Sequence, residues 1–403
     1  MFLTKAATGQ PARPPCSVYW AAGALGILAT AVGAILPVLI GVWQKQAGLP
    51  VDQAGFVAAT ELFAQVAGTG LFLWASPRWS LRTIAIAGLA VMVVGNIATA
   101  LSLSLASLII ARAIGGAGGG VVRALCMMSL AKASSPGRAF AVYAGAQVGL
   151  AAVTTALIPR FIEAQGPRAP FVVLTVASTA GFALCPFLPQ RSPRSASWTW
   201  RSQGRYPRGA IWAIVALFIF FAGQGALWTY LAPIGAFRSI PPGGVTQALT
   251  LLNFAGLAGA LGVGALAHRV NPRIALLTLL ATEVIAIVGL FTVRGSAGFS
   301  AAACAYYFSW CASFPFQFSV ISQSDSSGRA SAAVPAADGL GLAGGATLCG
   351  FVLPILGLGS AGWICAAASV TGIALYLLSL SLSKPSSRPA LPLAAADAVY
   401  LER

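Results

Sequence analysis

Residues 107–131, SLIIARAIGGAGGGVVRALCMMSLA, are apolar enough to lie in a lipid bilayer, yet they contain two arginines. A charge at the bilayer centre costs about 3 kcal/mol on insertion scales. Arg112 and Arg123 are eleven residues apart, so on a helix they differ by about 20° around the axis and about 16 Å along it. They therefore share one face, and we expect that face to meet protein or water rather than lipid.

Apolar segments of this kind recur along the whole chain. Of the 403 residues, 58% are apolar and only 8% are charged, whereas about a quarter of the residues of a soluble domain are charged. The apolar runs are long enough to predict twelve transmembrane helices. The predicted spans are 18–42, 52–75, 83–104, 106–131, 139–161, 169–189, 209–235, 245–267, 274–293, 297–320, 330–356 and 360–383. The predicted fold class is therefore an all-α integral membrane protein.

The net charge of +16 is explained by membrane topology, and we expect no nucleic-acid partner. Of the 24 lysines and arginines, two lie inside the fourth span and five lie on one side of the predicted membrane. Those five are Lys45, Arg160, Arg168, Arg238 and Arg294, and the other seventeen lie on the side that carries both termini. Because lysine and arginine favour the cytoplasmic side, we expect a multi-pass plasma-membrane protein, in a bacterium an inner-membrane protein, with both termini in the cytoplasm.

The cysteines and histidine give no sign of a metal or cofactor site. The seven cysteines form no CxxC pair, and His268 is the only histidine. No set of residues suits nucleophilic catalysis or a Walker-type nucleotide site. We therefore expect no metal, no cofactor and no enzyme activity. A membrane-embedded enzyme or a transporter-like sensor remains an alternative from another functional class.

The chain contains an internal repeat. Sliding the sequence by 191 residues places Arg78 and Arg82 on Arg269 and Arg273. The same offset places the segment 135–139 on 326–330, with a serine, a glycine, an arginine and an alanine matched. Each half has six predicted spans, so the repeat is parallel, with its axis along the membrane normal. The predicted domains are residues 1–189, a cytoplasmic linker at 190–208, and residues 209–403.

With these features the sequence resembles the major facilitator superfamily over nearly its whole length. The family's fourth-helix motif, an arginine followed by spaced glycines, matches Arg112, Gly116 and Gly118. The resemblance implies a transporter built from two pseudo-symmetric six-helix bundles around a central cavity, and we expect a monomer. It also implies gating loops, which carry Arg78 and Arg82 in the first half and Arg269 and Arg273 in the second.

Three acidic residues fall inside predicted spans. Glu61 lies near the middle of span 2, at a depth between those of Arg112 and Arg123, so either arginine is a possible partner. We expect Glu61 to be the proton-coupling carboxyl, with Asp338 as the next candidate; the alternative for Glu61 is half of a fixed ion pair. Asp338 in span 11 has Gln147 as its repeat mate, which indicates a shared inward face. Glu283 lies in span 9, which the resemblance makes an outer support, so we expect it to be structural.

Aromatic and amide side chains cluster in spans 7 and 10, which line the cavity in the family. The candidates for contact with an organic substrate are Gln224, Trp228, Tyr307, Trp310 and Gln317. Aromatic faces and amides suit stacking and hydrogen bonding to such a molecule. The alternative for each is packing in the helix core.

The residues leave the transported compound and its direction open. The first hypothesis is efflux of a metabolite or drug-like molecule in exchange for protons. The second is proton-coupled uptake of an organic anion, which Arg112 and Arg123 would favour. For Arg112 the competing interpretation is structural pairing to neighbouring helices; for Arg123 we expect a role in the cavity.

Overall fold

The computed structural model describes residues 16–130, 136–189, 207–266, 270–324 and 329–382, and within them every regular element is a helix. The first half contains α1 (Cys16–Ala34), α2 (Leu36–Ala47), α3 (Val51–Ala75), α4 (Leu81–Leu101), α5 (Leu105–Leu130), α6 (Pro136–Gln165), α7 (Ala169–Ala180) and a 3-10 helix (Gly181–Phe187). The second contains α8 (Arg208–Phe237), α9 (Pro242–Leu266), α10 (Pro272–Thr292), α11 (Gly295–Ser324), α12 (Arg329–Leu356) and α13 (Gly359–Leu382).

These helices form the predicted twelve spans. Eleven described helical stretches are long and apolar enough to cross a membrane. The twelfth span is α11, whose serines and aromatic hydroxyls lower its hydropathy. The first span includes α2 as a continuation of α1, and the sixth includes the 3-10 helix as a continuation of α7. The all-helical, twelve-span fold class is thus confirmed.

The first and sixth spans are not the continuous α-helices that were predicted. Span 1 is interrupted at Ile35, two residues before Pro37. Proline has no backbone N–H, so the helix loses a hydrogen bond at that point. In span 6 the α-helix tightens into the 3-10 helix at Gly181, and Pro186 lies inside that last stretch. Hydropathy is insensitive to both features because the residues remain apolar.

Helix boundaries recur at the offset of 191 residues. Helix α9 begins and ends 191 residues after α3, and α10 stands in the same relation to α4. The N-terminal ends of α4 and α10 are capped by residues 191 positions apart. Ser80 accepts a hydrogen bond from the Thr83 amide, and Asn271 accepts one from the Arg273 amide. Capping by a short polar side chain satisfies an amide that the helix leaves unpaired.

Consecutive helices are antiparallel because their connections are only a few residues long. We call the end of the bundle where the 3-10 helix ends and α8 begins the linker face, and the other end the opposite face. Within the first half α3 packs on α5, and within the second α9 packs on α11. The halves meet where α3 contacts α12 and where α6 contacts α9. Under the 191-residue offset these two contacts are equivalent.

Candidate functional site

A buried ion pair lies between α3 and α5. Arg112 Nη1 is 3.3 Å from Glu61 Oε2, and the two side chains are 1% and 3% exposed. The remaining Arg112 donors bind α4: Nε donates to Thr99 Oγ1 at 2.9 Å and Nη2 to Asn96 Oδ1 at 2.9 Å. Gln65 Nε2 donates to Glu61 Oε1 at 3.1 Å. Of the two possible partners, Glu61 therefore pairs with Arg112.

Glycines hold this ion pair inside one rigid half. A methyl group at Gly116 would lie 2.5 Å from the Glu61 carbonyl oxygen, and one at Gly120 would overlap the Gln65 carbonyl. The backbones of α3 and α5 are thus in direct contact, as small residues permit in membrane helices. Glu61 and Arg112 consequently move together when the half moves.

Arg123 and Asp338 lie at a similar depth on different halves. Arg123 is partly exposed and lies in the third of α5 nearest the linker face, while Asp338 is 8% exposed in the corresponding third of α12. Among the described residues the only ion pair within contact distance is Arg112 with Glu61, so Arg123 and Asp338 do not form an ion pair. Asp338 Oδ1 is buried without a hydrogen-bond partner among those residues.

Three predicted aromatic residues come together between α8 and α11. The rings of Trp228 and Tyr307 are stacked, with centroids 5.0 Å apart and planes at 17°. Trp310 lies edge-on to both, at 5.9 Å from Trp228 and 5.3 Å from Tyr307. Trp228 also lines a narrow crevice between the halves. The crevice has no room for a ligand, whereas typical ligand pockets measure ~300–1,000 Å³.

The predicted amide Gln224 belongs to a different cluster, inside the second half. Its Nε2 donates to Glu283 Oε1 at 2.6 Å, and its Oε1 accepts from Tyr306 OH at 2.8 Å. Ser369 Oγ also donates to Glu283 Oε1, at 2.8 Å. Glu283 is fully buried and its Oε2 has no hydrogen-bond partner among the described residues. Glu283 thus bonds as expected, while both polar ends of Gln224 are occupied.

Gln317 is likewise engaged within the second half. Its Nε2 donates to Ser313 Oγ at 2.9 Å and its Oε1 accepts from Tyr376 OH at 3.0 Å, and the side chain is fully buried. The structure therefore brings Trp228, Tyr307 and Trp310 together but not the two glutamines with them.

The predicted gating arginines lie at the linker face. Arg78 donates to the Trp74 carbonyl and lies over the Trp74 ring at 4.8 Å. Arg82 donates to the Pro186 carbonyl at the end of the sixth span. Arg273 is exposed at the start of α10, and Arg269 lies outside the described residues. In the described part of the chain, Arg78 and Arg82 thus bind their own half.

Two partners of Arg112 were missed from the sequence. Asn96 and Thr99 are one helical turn apart in α4, an otherwise apolar helix, and both are buried. A polar pair on one face of a neighbouring span is a usable signal, because a buried guanidinium needs several acceptors.

No group of histidine, cysteine or acidic residues that could hold a metal occurs in the described residues.

Comparisons with known proteins agree with the twelve-span architecture. A family model described as Major Facilitator Superfamily matches residues 21–334. Two solved structures are similar: the inward-open xylose transporter XylE from E. coli (14% identity, TM-score 0.74, covering 95% of this chain and 99% of that one) and a D-xylose-proton symporter (15%, 0.75, 93% and 99%). At these identities the likeness shows the fold alone. No curated protein matches the chain significantly by sequence.

Proposed function

Because the chain belongs to the Major Facilitator Superfamily, we propose that it is a secondary transporter that exports a small organic molecule in exchange for protons. The observation that carries the coupling mechanism is the unpartnered, buried Oδ1 of Asp338 in α12, at a depth similar to that of Arg123 in α5 of the other half. When two bundles rock about a central site, charges on different bundles change their separation. A nearby arginine stabilises the ionised form of a carboxyl. When the arginine moves away, the carboxyl loses this stabilisation and takes up a proton more readily.

Asp338 suits this role better than Glu61. Glu61 and Arg112 lie in one half, joined by direct backbone contact of α3 and α5. Rocking of the halves leaves their separation unchanged, so their ion pair supports the fold in every state. Asp338 has an unpartnered buried oxygen and lies at the depth of a cation, Arg123, that belongs to the other half. We therefore assign proton coupling to Asp338, with Arg123 as the group that senses the state of the halves.

The substrate would contact the aromatic cluster of Trp228, Tyr307 and Trp310. These rings offer apolar faces for an organic molecule, and Trp228 lies at the crevice between the halves. The protein would act as a monomer in a plasma membrane, the inner membrane of a bacterium, with both termini in the cytoplasm.

Proton-coupled uptake is the second candidate. It is supported by one protein of similar structure, a D-xylose-proton symporter. Uptake of an organic anion has less support from the structure than from the sequence. Glu61 neutralises Arg112, so of the two arginines in α5 only Arg123 remains to bind an anion. The sign of proton movement during transport separates export from uptake.

The test is a compound screen in proteoliposomes with an imposed pH gradient. A dye reports proton flux, and each active compound is then assayed for accumulation and for exchange without a gradient. We expect Asp338→Asn to lose gradient-driven accumulation and to keep exchange. Glu163→Gln, which removes an exposed carboxyl at the end of α6, serves as the control and should behave like the parent.

Two results would contradict the proposal. Equal gradient-driven accumulation by Asp338→Asn and the parent would exclude Asp338 as the coupling group. Transport without any proton movement, in either direction, would exclude proton coupling altogether.

A further inference from the structure

Pro37 leaves a backbone carbonyl of α1 without its helical partner. In an α-helix the carbonyl of residue 33 accepts from the amide of residue 37, but proline has no N–H. The carbonyl of Gly33 is therefore free to accept from elsewhere. Gly33 has no side chain to cover it, and a methyl group there would meet nothing within 4 Å.

Trp228, from the other half, supplies the missing donor. Its indole Nε1 donates to the Gly33 carbonyl at 3.2 Å. The ring is fixed by its own half, where it stacks on Tyr307 and meets the edge of Trp310. The indole N–H reaches the first half, so this hydrogen bond adds a directed contact to the apolar packing of α8 on α2.

This bond lies where the two halves are symmetric. Trp228 is 191 residues after Pro37, so the indole and the proline occupy equivalent positions of the repeat. Equivalent positions that meet each other lie near the axis relating the halves. This hydrogen bond therefore lies near the axis, among the contacts that must part when the halves separate.

Neighbouring contacts show that the halves are closed at the opposite face. The Tyr230 hydroxyl from α8 fills the space beside Gly55 in α3, where a methyl group would overlap it. Phe56 of α3 packs on Phe351 of α12, with ring centroids 4.8 Å apart. The crevice lined by Pro37, Val38 and Trp228 is too small for most substrates. Passage to the opposite face thus requires these contacts to part.

We propose that the hydrogen bond from the Trp228 indole to the Gly33 carbonyl, made possible by Pro37, is the latch that keeps the opposite face closed. This proposal rests on the proposed transport function. It adds that the aromatic cluster controls opening of the opposite face through Trp228. Because Trp228 touches both the crevice and Tyr307, a molecule that displaces the indole breaks the latch.

The test measures opening directly, without transport. Val38→Cys places a thiol in the crevice, and its reaction with a bulky maleimide in detergent solution is followed by intact mass. The same measurement without Val38→Cys gives the reaction of the native cysteines, which is subtracted. Added to Val38→Cys, Trp228→Phe keeps the stacked ring but removes the N–H. We expect labelling to accelerate about 2- to 10-fold, the range given by one net hydrogen bond.

The chain offers a matched control. Trp43 is fully buried in α2, stacks on Phe171, and its Nε1 has no partner among the described residues. Trp43→Phe therefore removes an indole N–H without removing a hydrogen bond. Its labelling rate should equal that of the parent.

A second variant tests the latch without changing Trp228. Pro37→Ala restores an amide that bonds the Gly33 carbonyl within the helix and competes with the indole, so labelling should again accelerate. If both changes act on one bond, the double variant should label no faster than the faster single variant.

Parent-like labelling of both Trp228→Phe and Pro37→Ala would overturn the latch. If the increases in labelling rate of the two single variants multiply in the double variant, Pro37 does not act through this bond. If Trp228→Phe does not fold, Pro37→Ala decides alone. Failure of the Asp338 experiment leaves this test unaffected, since labelling requires neither a substrate nor a proton gradient.

Discussion

Arg112 illustrates how one residue joins three helices. Its guanidinium binds Glu61 of α3 and both Asn96 and Thr99 of α4 from a position in α5. A planar fork of donors can satisfy these acceptors together, whereas the compact ammonium of lysine cannot. The identity of this side chain therefore determines whether the polar interior of the first half is satisfied.

We predict that Arg112→Lys lowers the free energy of unfolding by about 2–4 kcal/mol, because two hydrogen bonds to a charged group are lost or weakened. Thermal unfolding in detergent measures the change. Arg123→Lys is the matched control in the same helix, since Arg123 is partly exposed and has no ion pair among the described residues. Equal shifts in melting temperature for the two variants would contradict the structural role of Arg112.

The same argument predicts coupling between Glu61 and Arg112. Glu61→Leu alone leaves a buried arginine without its counter-ion, which costs about 3–5 kcal/mol. Glu61→Leu combined with Arg112→Leu removes both charges and should recover part of that loss. A double variant less stable than the sum of the single changes would show that the ion pair is not the interaction being measured.

Among the elements, α3 and α5 have the contact that tolerates change least. Gly120→Ala should destabilise the protein by about 1–3 kcal/mol, the cost of overpacking a filled interface, because the new methyl overlaps the Gln65 carbonyl. Gly70→Ala is the control: Gly70 is exposed on α3 and nothing lies within 4 Å of a methyl there. Melting temperatures of the two variants provide the measurement, and a harmless Gly120→Ala would refute direct backbone contact.

At this scale much of the fold could be predicted from the sequence. Hydropathy and polar loops located all twelve spans to within a few residues, since membrane helices must be long and apolar. Pro37 is recognisable in the sequence as a residue that can kink its helix, but the interruption at Ile35 was not predicted, because proline does not always break a transmembrane helix. The sequence also did not predict that both polar ends of Gln224 are hydrogen-bonded within the second half. Its partner Glu283 is 59 residues away, and only the rotation of α8 against α10 brings the two side chains together.

The candidate site was predicted in part for the same reason. Trp228, Tyr307 and Trp310 lie together because α8 and α11 are side by side, while their contact with a substrate stays a prediction. From the sequence, either Arg112 or Arg123 was a possible partner of Glu61, because depth in the membrane alone does not distinguish the two arginines. Packing of α3 on α5 through glycines resolves the choice in favour of Arg112.

For the whole molecule, the closed opposite face makes a separate prediction. Gly55→Ala adds a methyl that overlaps the Tyr230 hydroxyl between the halves. It should accelerate labelling of Val38→Cys, because the halves can no longer close fully. Gly41→Ala is the control, since a methyl at Gly41 meets nothing within 4 Å. Unchanged labelling of the Gly55 variant would mean that α3 and α8 are not in close contact in solution.

Membrane orientation gives a further whole-molecule prediction. The charge asymmetry predicts that the segment 190–208 is cytoplasmic. A reporter enzyme active only outside the cytoplasm should therefore be inactive when fused there, and active when fused at Gly166 in the loop between α6 and α7. Reversed activities would require the opposite orientation of all twelve spans.

The ion pair between Glu61 and Arg112 also constrains biosynthesis. The two residues are separated by 51 positions in the chain, so at about 5–20 residues per second a ribosome makes the arginine roughly 3–10 s after the glutamate. During that interval the newly made α3 carries a charge that lipid disfavours. We therefore expect α3 to insert less readily on its own than in a chain that already contains α5.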